Sequence, residues 1–137
     1  MSFVILRLLF DFGLVILIWL VQLIMYPGFS YYQKENLMNW HQSYTKRIAV
    51  VVMPLMVGQL VLSIIRFYEV FNVNHGIDAI LVVAVWISTF LQFVPIHNRI
   101  SKGEIASKLL IKLVRLNWLR TSLWTIIFLW NLYLIVI

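Results

Sequence analysis

Residues 117–124 read Asn-Trp-Leu-Arg-Thr-Ser-Leu-Trp, and they place an amide and a guanidinium near the start of the last long apolar run, residues 116–137. At helical spacing, Asn117, Arg120, Thr121 and Trp124 fall on one face of a helix. Polar side chains inside a membrane normally face the interior of a helix bundle or a wet cavity. The stretch therefore predicts a spanning helix whose polar face meets polar groups from other helices.

The composition is that of an integral membrane protein. Of 137 residues, 63% are hydrophobic and only 12% are charged, whereas soluble domains carry about 25% charged residues. Four apolar runs have the length and character of spanning segments: residues 3–25, 48–65, 77–96 and 116–137. We therefore predict an all-α protein, a single four-helix transmembrane bundle over residues 1–137. The first run is expected to remain as a helix, since no small-residue cleavage site of a secretory signal follows it.

Residue types exclude several classes of function. The chain has no cysteine, so it has no disulfide and no thiolate metal site. A formal net charge of +6 is attributed to membrane topology and to attraction of anionic lipid headgroups, and nucleic acid is not an expected partner. The sequence shows no glycine-rich phosphate loop, no Ser-His-Asp arrangement and no carboxylate pair for hydrolysis.

Prolines and turn residues set the predicted ends of the helices. Helix 1 is expected to stop at Met25, before the Tyr-Pro-Gly sequence at 26–28. Pro54 is expected to kink helix 2 near mid-membrane, residues 71–76 to form a turn, and Pro95 to bend or end helix 3.

Helices 2 and 4 are predicted to have amphipathic extensions beyond the membrane on the cytoplasmic side. Residues 37–47 either continue helix 2 into water or lie in the interface after a bend. In the first half of helix 4, a basic stripe of Lys108, Lys112 and Arg115 accompanies an apolar one. The apolar stripe consists of Ile105, Leu109, Leu110, Leu113 and Leu116.

Basic residues are distributed unequally between the two sides of the membrane. Of the eleven Lys and Arg residues, all except Arg7 and Arg66 fall on the side of the connections between helices 1 and 2 and between helices 3 and 4. The positive-inside rule therefore places both connections in the cytoplasm and both termini outside. The expected location is a bacterial inner membrane.

With this topology, polar residues of all four helices reach the cytoplasmic half of the bundle at one depth. Arg47 and Arg99 add positive charge there, and the only acids on that side, Glu35 and Glu104, lie in turns. We therefore predict an electropositive pocket that opens to the cytoplasmic interface. Its predicted residues are Gln22, Tyr26, His41, Tyr44, Gln92, His97, Asn98, Asn117 and Arg120.

For the two histidines, Arg120 and Asp11, the sequence allows either a functional or a purely structural interpretation. His41 and His97 are either ligands of a transition metal or haem, or hydrogen-bonding residues at helix ends. Arg120 either faces a ligand or snorkels to the interface. Asp11 is either the ion-pair partner of Arg7, four residues away, or an ion or proton relay.

Four phrases carry a resemblance to known proteins: YPGF at 26–29, WHQSYTKR at 40–47, PIHNR at 95–99 and NWLRT at 117–121. Together they resemble a group of small, uncharacterised four-helix bacterial membrane proteins, similar in size and layout to the anthrone-oxygenase-like family. The resemblance covers nearly the whole chain and implies fold and topology. The aromatic exit of helix 1 also resembles the four-helix, haem-binding protoporphyrinogen oxidases of HemJ type, although this chain has no His in helix 1.

Two functional hypotheses follow. In the first, the pocket binds an amphipathic ligand with an anionic or carbonyl head, or a redox cofactor, and the protein is a small membrane oxidoreductase. Arg120, Arg47 and Arg99 would hold the head and His41 or His97 would exchange protons, act in catalysis or hold a cofactor, while Asn117 and Gln92 would form hydrogen bonds. In the second, the protein is a non-catalytic homo-oligomeric subunit or scaffold that binds anionic lipid. Ion transport would need a polar path to Asp11, and the apolar middle of the helices argues against it.

Overall fold

The computed structural model describes residues 2–137, and Met1, the first residue of the predicted domain, lies outside them. Four long helices are joined by short connections: α1 (Phe3–Tyr31), α2 (Lys34–Glu69), α3 (Val73–Ser101) and α4 (Ser107–Val136). Within residues 2–137 there is no β-strand. Each helix packs against its two neighbours, α1 on α2 and α4, and α3 on α2 and α4. The predicted all-α four-helix bundle is confirmed, and all four helices are long and apolar enough to cross a membrane.

Helices α1 and α3 continue past the prolines that were expected to end or bend them. Each has a π-helical segment just before its proline, Val21–Met25 before Pro27 and Thr89–Phe93 before Pro95. In the first segment the amide of Tyr26 donates to the carbonyl five residues back, and the second has the same pattern. Because proline has no amide hydrogen, the wider turn accommodates the missing hydrogen bond. The predicted end of helix 1 at Met25 is therefore wrong, and of the two alternatives for Pro95, an end of helix 3 is excluded.

Helix α2 is one continuous helix of 36 residues, about 54 Å long at 1.5 Å per residue. It includes residues 37–47, so this segment extends the helix rather than lying apart from it, and the helix also runs through Pro54. The side chain of Asn72 caps the start of α3. The observed turn is therefore much shorter than the predicted turn at 71–76, because α3 already begins at Val73.

The interior of the bundle takes one face from each helix. In α1 the buried positions recur at spacings of three and four residues, as an amphipathic helix requires. In α4 the face of Asn117, Arg120, Thr121 and Trp124 is buried as predicted. The apolar stripe of the first half of α4 also packs inward, while the basic stripe beside it is exposed. Large apolar side chains cover the outer faces of all four helices, which suits contact with lipid.

Candidate functional site

A cavity of about 250 Å³ lies among the helices, in the half of the bundle that contains the connections from α1 to α2 and from α3 to α4. Much of its wall is apolar, with Leu17, Val21, Ile48, Val52 and Phe93 among the lining side chains. Its polar lining consists of Tyr26, Tyr44, Thr45, Thr89, His97, Asn98, Ser101 and Arg120. A mainly apolar pocket with a few convergent polar groups is the usual form of a small-molecule site.

Arg120 is the charged residue of this cavity. Its side chain is only 7% exposed, and its Cζ atom lies 4.2 Å from the ring centre of Phe93 and 5.1 Å from that of Trp124. None of the salt bridges in residues 2–137 includes Arg120, and within this part of the chain its Nε atom is buried without a hydrogen-bond partner. Aromatic faces rather than an acid therefore hold this cation, and it points inward instead of snorkelling to the interface.

Two histidines form a hydrogen-bonded chain behind the cavity. The Tyr26 hydroxyl lies 2.9 Å from Nε2 of His97, Nδ1 of His97 lies 2.7 Å from Nε2 of His41, and Nδ1 of His41 lies 2.8 Å from the Ser101 hydroxyl. Hydroxyl groups and neutral imidazoles can each donate and accept a hydrogen bond. All hydrogen bonds of the chain can therefore reverse their direction together. Because Tyr26 and Ser101 both line the cavity, the chain offers a route for a proton along the cavity wall.

The two histidines do not fit a shared metal ion or haem iron in this arrangement. An imidazole nitrogen binds a metal such as zinc at about 2.0–2.1 Å, with the metal between the two ligand atoms. Here the facing nitrogens are bonded to each other, and the two outer nitrogens contact Tyr26 and Ser101. In residues 2–137 there is also no cluster of three His, Asp or Glu residues suited to a metal ion. The hydrogen-bonding alternative describes the observed geometry.

A second buried polar network lies in the opposite half of the bundle. Arg7 donates to Oδ1 of Asp11 at 2.9 Å, and to both carboxylate oxygens of Asp78 at 2.9 and 2.8 Å. Ser63 and Asn131 also donate to Asp78, at 2.6 and 2.8 Å. The predicted pairing of Arg7 with Asp11 is observed, and Asp78 completes a network that sequence reasoning missed.

Gln59 and Trp124 connect the two halves. The Gln59 amide nitrogen donates to Oδ1 of Asp11 at 2.7 Å, and its oxygen accepts from the Trp124 indole at 3.1 Å. The ring of the same tryptophan packs against Arg120, and both connecting side chains are 1% exposed. A series of hydrogen bonds thus runs from Asp78 through Arg7, Asp11 and Gln59 to Trp124, whose ring contacts Arg120.

Some of the predicted site residues gather at the cavity. Tyr26, Tyr44, His97, Asn98 and Arg120 line it. His41, which is completely buried, lies directly behind His97. These six come from all four helices.

The other predicted site residues lie elsewhere. Gln22 and Asn117 are hydrogen-bonded to each other at 2.9 Å and join α1 to α4. Gln92 accepts from a serine one turn earlier at 2.8 Å. Arg47 is exposed, and Arg99 pairs at the surface with a glutamate at 2.8 Å. The structure does not place these five at the cavity, because each has a nearer partner or faces outward.

Phe93 and Ser101 are among the residues of the site that were not selected from the sequence. Phe93 supplies a ring face to Arg120, and Ser101 ends the histidine chain. Both stand four residues from His97, so they share its helix face, and that spacing was the available signal.

Comparison of the chain with family models, curated proteins and solved structures gives no match. The resemblances drawn from the sequence phrases therefore remain expectations.

Proposed function

We propose that the protein binds the anionic head of an amphipathic molecule at Arg120. The observation that carries this proposal is a buried guanidinium that lines a cavity and has no acid partner among the described residues. A buried cation is costly unless it is paired, and an anionic ligand would supply the missing partner. Arginine suits this role because its planar fork binds carboxylate or phosphate oxygens in a bidentate manner.

The rest of the cavity fits the two ends of such a molecule. Tyr26, Tyr44 and Asn98 have hydrogens that can be donated to the oxygens of the head. Leu17 and Val52 belong to the apolar wall, against which the start of a hydrocarbon chain would pack. The volume of about 250 Å³ is slightly below the range of about 300–1,000 Å³ for ligand pockets. It suits a head with its first few carbons, with the rest of the chain in the bilayer.

The proposed environment is a bacterial inner membrane, with the cavity in the cytoplasmic half and both termini outside. The uneven distribution of Lys and Arg supports this orientation. The exposed basic stripe at the start of α4 lies on the same side and would attract anionic headgroups. An anionic lipid of the inner leaflet is therefore the ligand class that we favour.

Proton exchange with the bound head is a second candidate, favoured by the chain from Tyr26 through the two histidines to Ser101. An oxidoreductase that reduces a quinone or an aromatic carbonyl with electrons from a separate donor, such as a reduced nicotinamide, needs such a group to move protons, because reduction of the carbonyl oxygen adds them. Reduction of a quinone by the purified protein with this added donor, with loss of activity in His41→Ala but not in His75→Ala, would support this activity.

The binding proposal is tested with Arg120→Met and a matched control, Lys102→Met, at an exposed position outside the cavity and the basic stripe. The purified proteins are assayed for co-purifying lipids by mass spectrometry and titrated with decanesulfonate and with decanol. We expect wild type and Lys102→Met to bind the sulfonate but not the alcohol, and Arg120→Met to bind neither. Equal binding of alcohol and sulfonate, or unchanged sulfonate binding in Arg120→Met, contradicts the proposal. Polar substitutions that lower stability without changing any bound species would favour a non-catalytic homo-oligomeric subunit instead.

A further inference from the structure

The buried charges sum to zero, but they are distributed unequally between the two sides of Trp124. Four charged side chains are buried in the described part of the chain: Arg7, Asp11, Asp78 and Arg120. Arg7 and the two acids form the network on one side, which has a net charge of −1 when both carboxyl groups are ionised. Arg120 stands alone on the other side, and the Gln59–Trp124 connection separates it from the acids.

The two acids differ in their hydrogen bonds. Asp78 accepts four, two from Arg7 and one each from Ser63 and Asn131. Asp11 accepts two, both at Oδ1, while its Oδ2 atom is buried with no partner in residues 2–137. Within this part of the chain, Asp11 is therefore the acid with a free carboxylate oxygen at which a proton can be placed, whereas both oxygens of Asp78 already accept hydrogen bonds.

We propose that Asp11 takes up one proton when an anion binds at Arg120, so that anion binding and protonation are coupled through the core. This inference rests on the proposed function. The bound anion neutralises Arg120 and leaves the acid network with an uncompensated −1 in a medium that screens charge weakly. A proton on Oδ2 of Asp11 then makes each side separately neutral, with Arg7 opposite Asp78 and Arg120 opposite the anion. The step converts a carboxylate and a proton from water into a carboxylic acid, and no other bond changes.

Protonation of His97 would not have this effect. It would add a positive charge at the cavity and leave the negative charge of the acid network in place. The groups that face Asp11 are Arg7 on its own helix, Gln59 on α2 and, through Arg7, Asp78 on α3. On α4, Trp124 is connected to Asp11 through Gln59. Arg120, which contacts the Trp124 ring, is therefore the remaining buried charge, on the far side of this connection.

A second cavity reaches the acid network on the side opposite to the anion. A cavity of about 410 Å³ lies at the end of the bundle where α1 and α4 have their termini, and Arg7 and Asp78 are part of its lining. The titratable or charged groups at its wall are Arg7, Arg66, His75 and Asp78. Anion and proton would therefore reach the core from opposite faces of the bundle.

The test is calorimetric titration of the protein in lipid nanodiscs with decanesulfonate, in buffers that differ in their heat of protonation. The sulfonate stays ionised near neutral pH, so any proton taken up belongs to the protein. We expect uptake of about one proton for each sulfonate bound, in wild type and in the control Glu35→Gln, and none in Asp11→Asn. In wild type, sulfonate binding should also produce an infrared C=O band of a protonated carboxylic acid, which does not depend on the folding of a variant.

The outcomes separate the two proposals. Sulfonate binding without proton uptake and without the infrared band overturns the coupling and leaves the anion site standing. Proton uptake that persists in folded Asp11→Asn assigns the proton to another group, such as the histidine pair, and overturns the role of Asp11. If wild type does not bind the sulfonate at all, the proposed function fails, and the coupling that rests on it fails with it.

Discussion

Nε2 of His41 lies 2.7 Å from Nδ1 of His97, and this bond ties the extension of α2 to the end of α3. The two rings are also nearly parallel, with an interplanar angle of 24°. Because the outer nitrogens reach Tyr26 and Ser101, the pair is the centre of the chain that leads from the cavity. The hydrogen bond between His41 and His97 therefore joins α2 to α3 and also completes the chain from Tyr26 to Ser101.

Replacement of His41 by alanine is expected to destabilise the protein. It removes the hydrogen-bond partner of His97 Nδ1 and of the Ser101 hydroxyl, which are both partly buried, and an unsatisfied group costs up to about 1–3 kcal/mol when it is fully buried. Unfolding by denaturant in detergent micelles measures the change. His75→Ala is the control, because that side chain is only partly buried and lies at the opposite end of the bundle. Equal losses in the two variants would show that the pair contributes no specific stability.

Arg7 and Arg120 are both buried arginines, but methionine is expected to have opposite effects at the two positions. Arg7→Met leaves Asp11 and Asp78 without their cation, and loss of one partner of a buried pair costs about 3–5 kcal/mol. Arg120→Met removes a cation that has no acid partner among the described residues, so stability should be unchanged or higher while sulfonate binding is lost. Denaturant unfolding of both variants provides the comparison. Greater destabilisation by Arg120→Met than by Arg7→Met contradicts this account.

The Arg7→Met variant should also become more stable as the pH falls. Its two buried carboxylates lack a cation, so the folded state favours their protonated forms more than the unfolded state does. The folded state then binds more protons, and the free energy of unfolding rises as the pH is lowered. Unfolding of the variant from neutral to mildly acidic pH measures this dependence, with wild type as the reference.

The sequence contained enough information for the bundle and for five of the polar residues that line the cavity. Apolar runs and helical periodicity predict four helices, and the spacing of Arg120 and Trp124 places both on the inner face of α4. The facing histidines were foreseeable as neighbours because the ends of α2 and α3 meet on one side of the membrane. Membrane helices are the most predictable elements, since the bilayer imposes one length and one polarity on them.

What periodicity could not supply was the choice of partner for each polar group. Gln22, Asn117 and Arg120 all belong to the polar faces, yet the first two are hydrogen-bonded to each other and only the third faces the cavity. That difference depends on the rotation of whole helices against one another, to which a π-helical segment adds. For the same reason, the pairing of Asp78 with Arg7 could not be predicted, because the two side chains come into contact only when α1 packs near α3.

The Phe10 ring of α1 packs against α2 at Gly58, where it leaves no room for a side chain. A Cβ atom at Gly58 would overlap the ring of Phe10, whereas one at Gly28 would have no heavy atom within 4 Å. Gly58→Ala is therefore expected to separate the two helices and to lower the free energy of unfolding by about 1–3 kcal/mol, the usual cost of overpacking. Gly28→Ala should be neutral or slightly stabilising, because alanine is the better helix former. Thermal unfolding in detergent distinguishes the two, and similar melting temperatures would mean that Phe10 moves aside freely.

Pro27 is expected to shape the anion site through the π-helical segment that precedes it. With alanine at this position, an amide hydrogen becomes available to the carbonyl four residues back, so the segment can return to α-helical geometry. The π-helical turn contains one residue more than an α-helical turn. Its loss rotates the following residues by about 100° around the helix axis, and this rotation takes Tyr26 away from His97. Pro27→Ala should therefore bind decanesulfonate more weakly than wild type. Pro54→Ala is the matched control, because α2 is continuously α-helical at that proline and Pro54 does not line the cavity. Full sulfonate affinity in Pro27→Ala would show that the π-helical segment does not position the site.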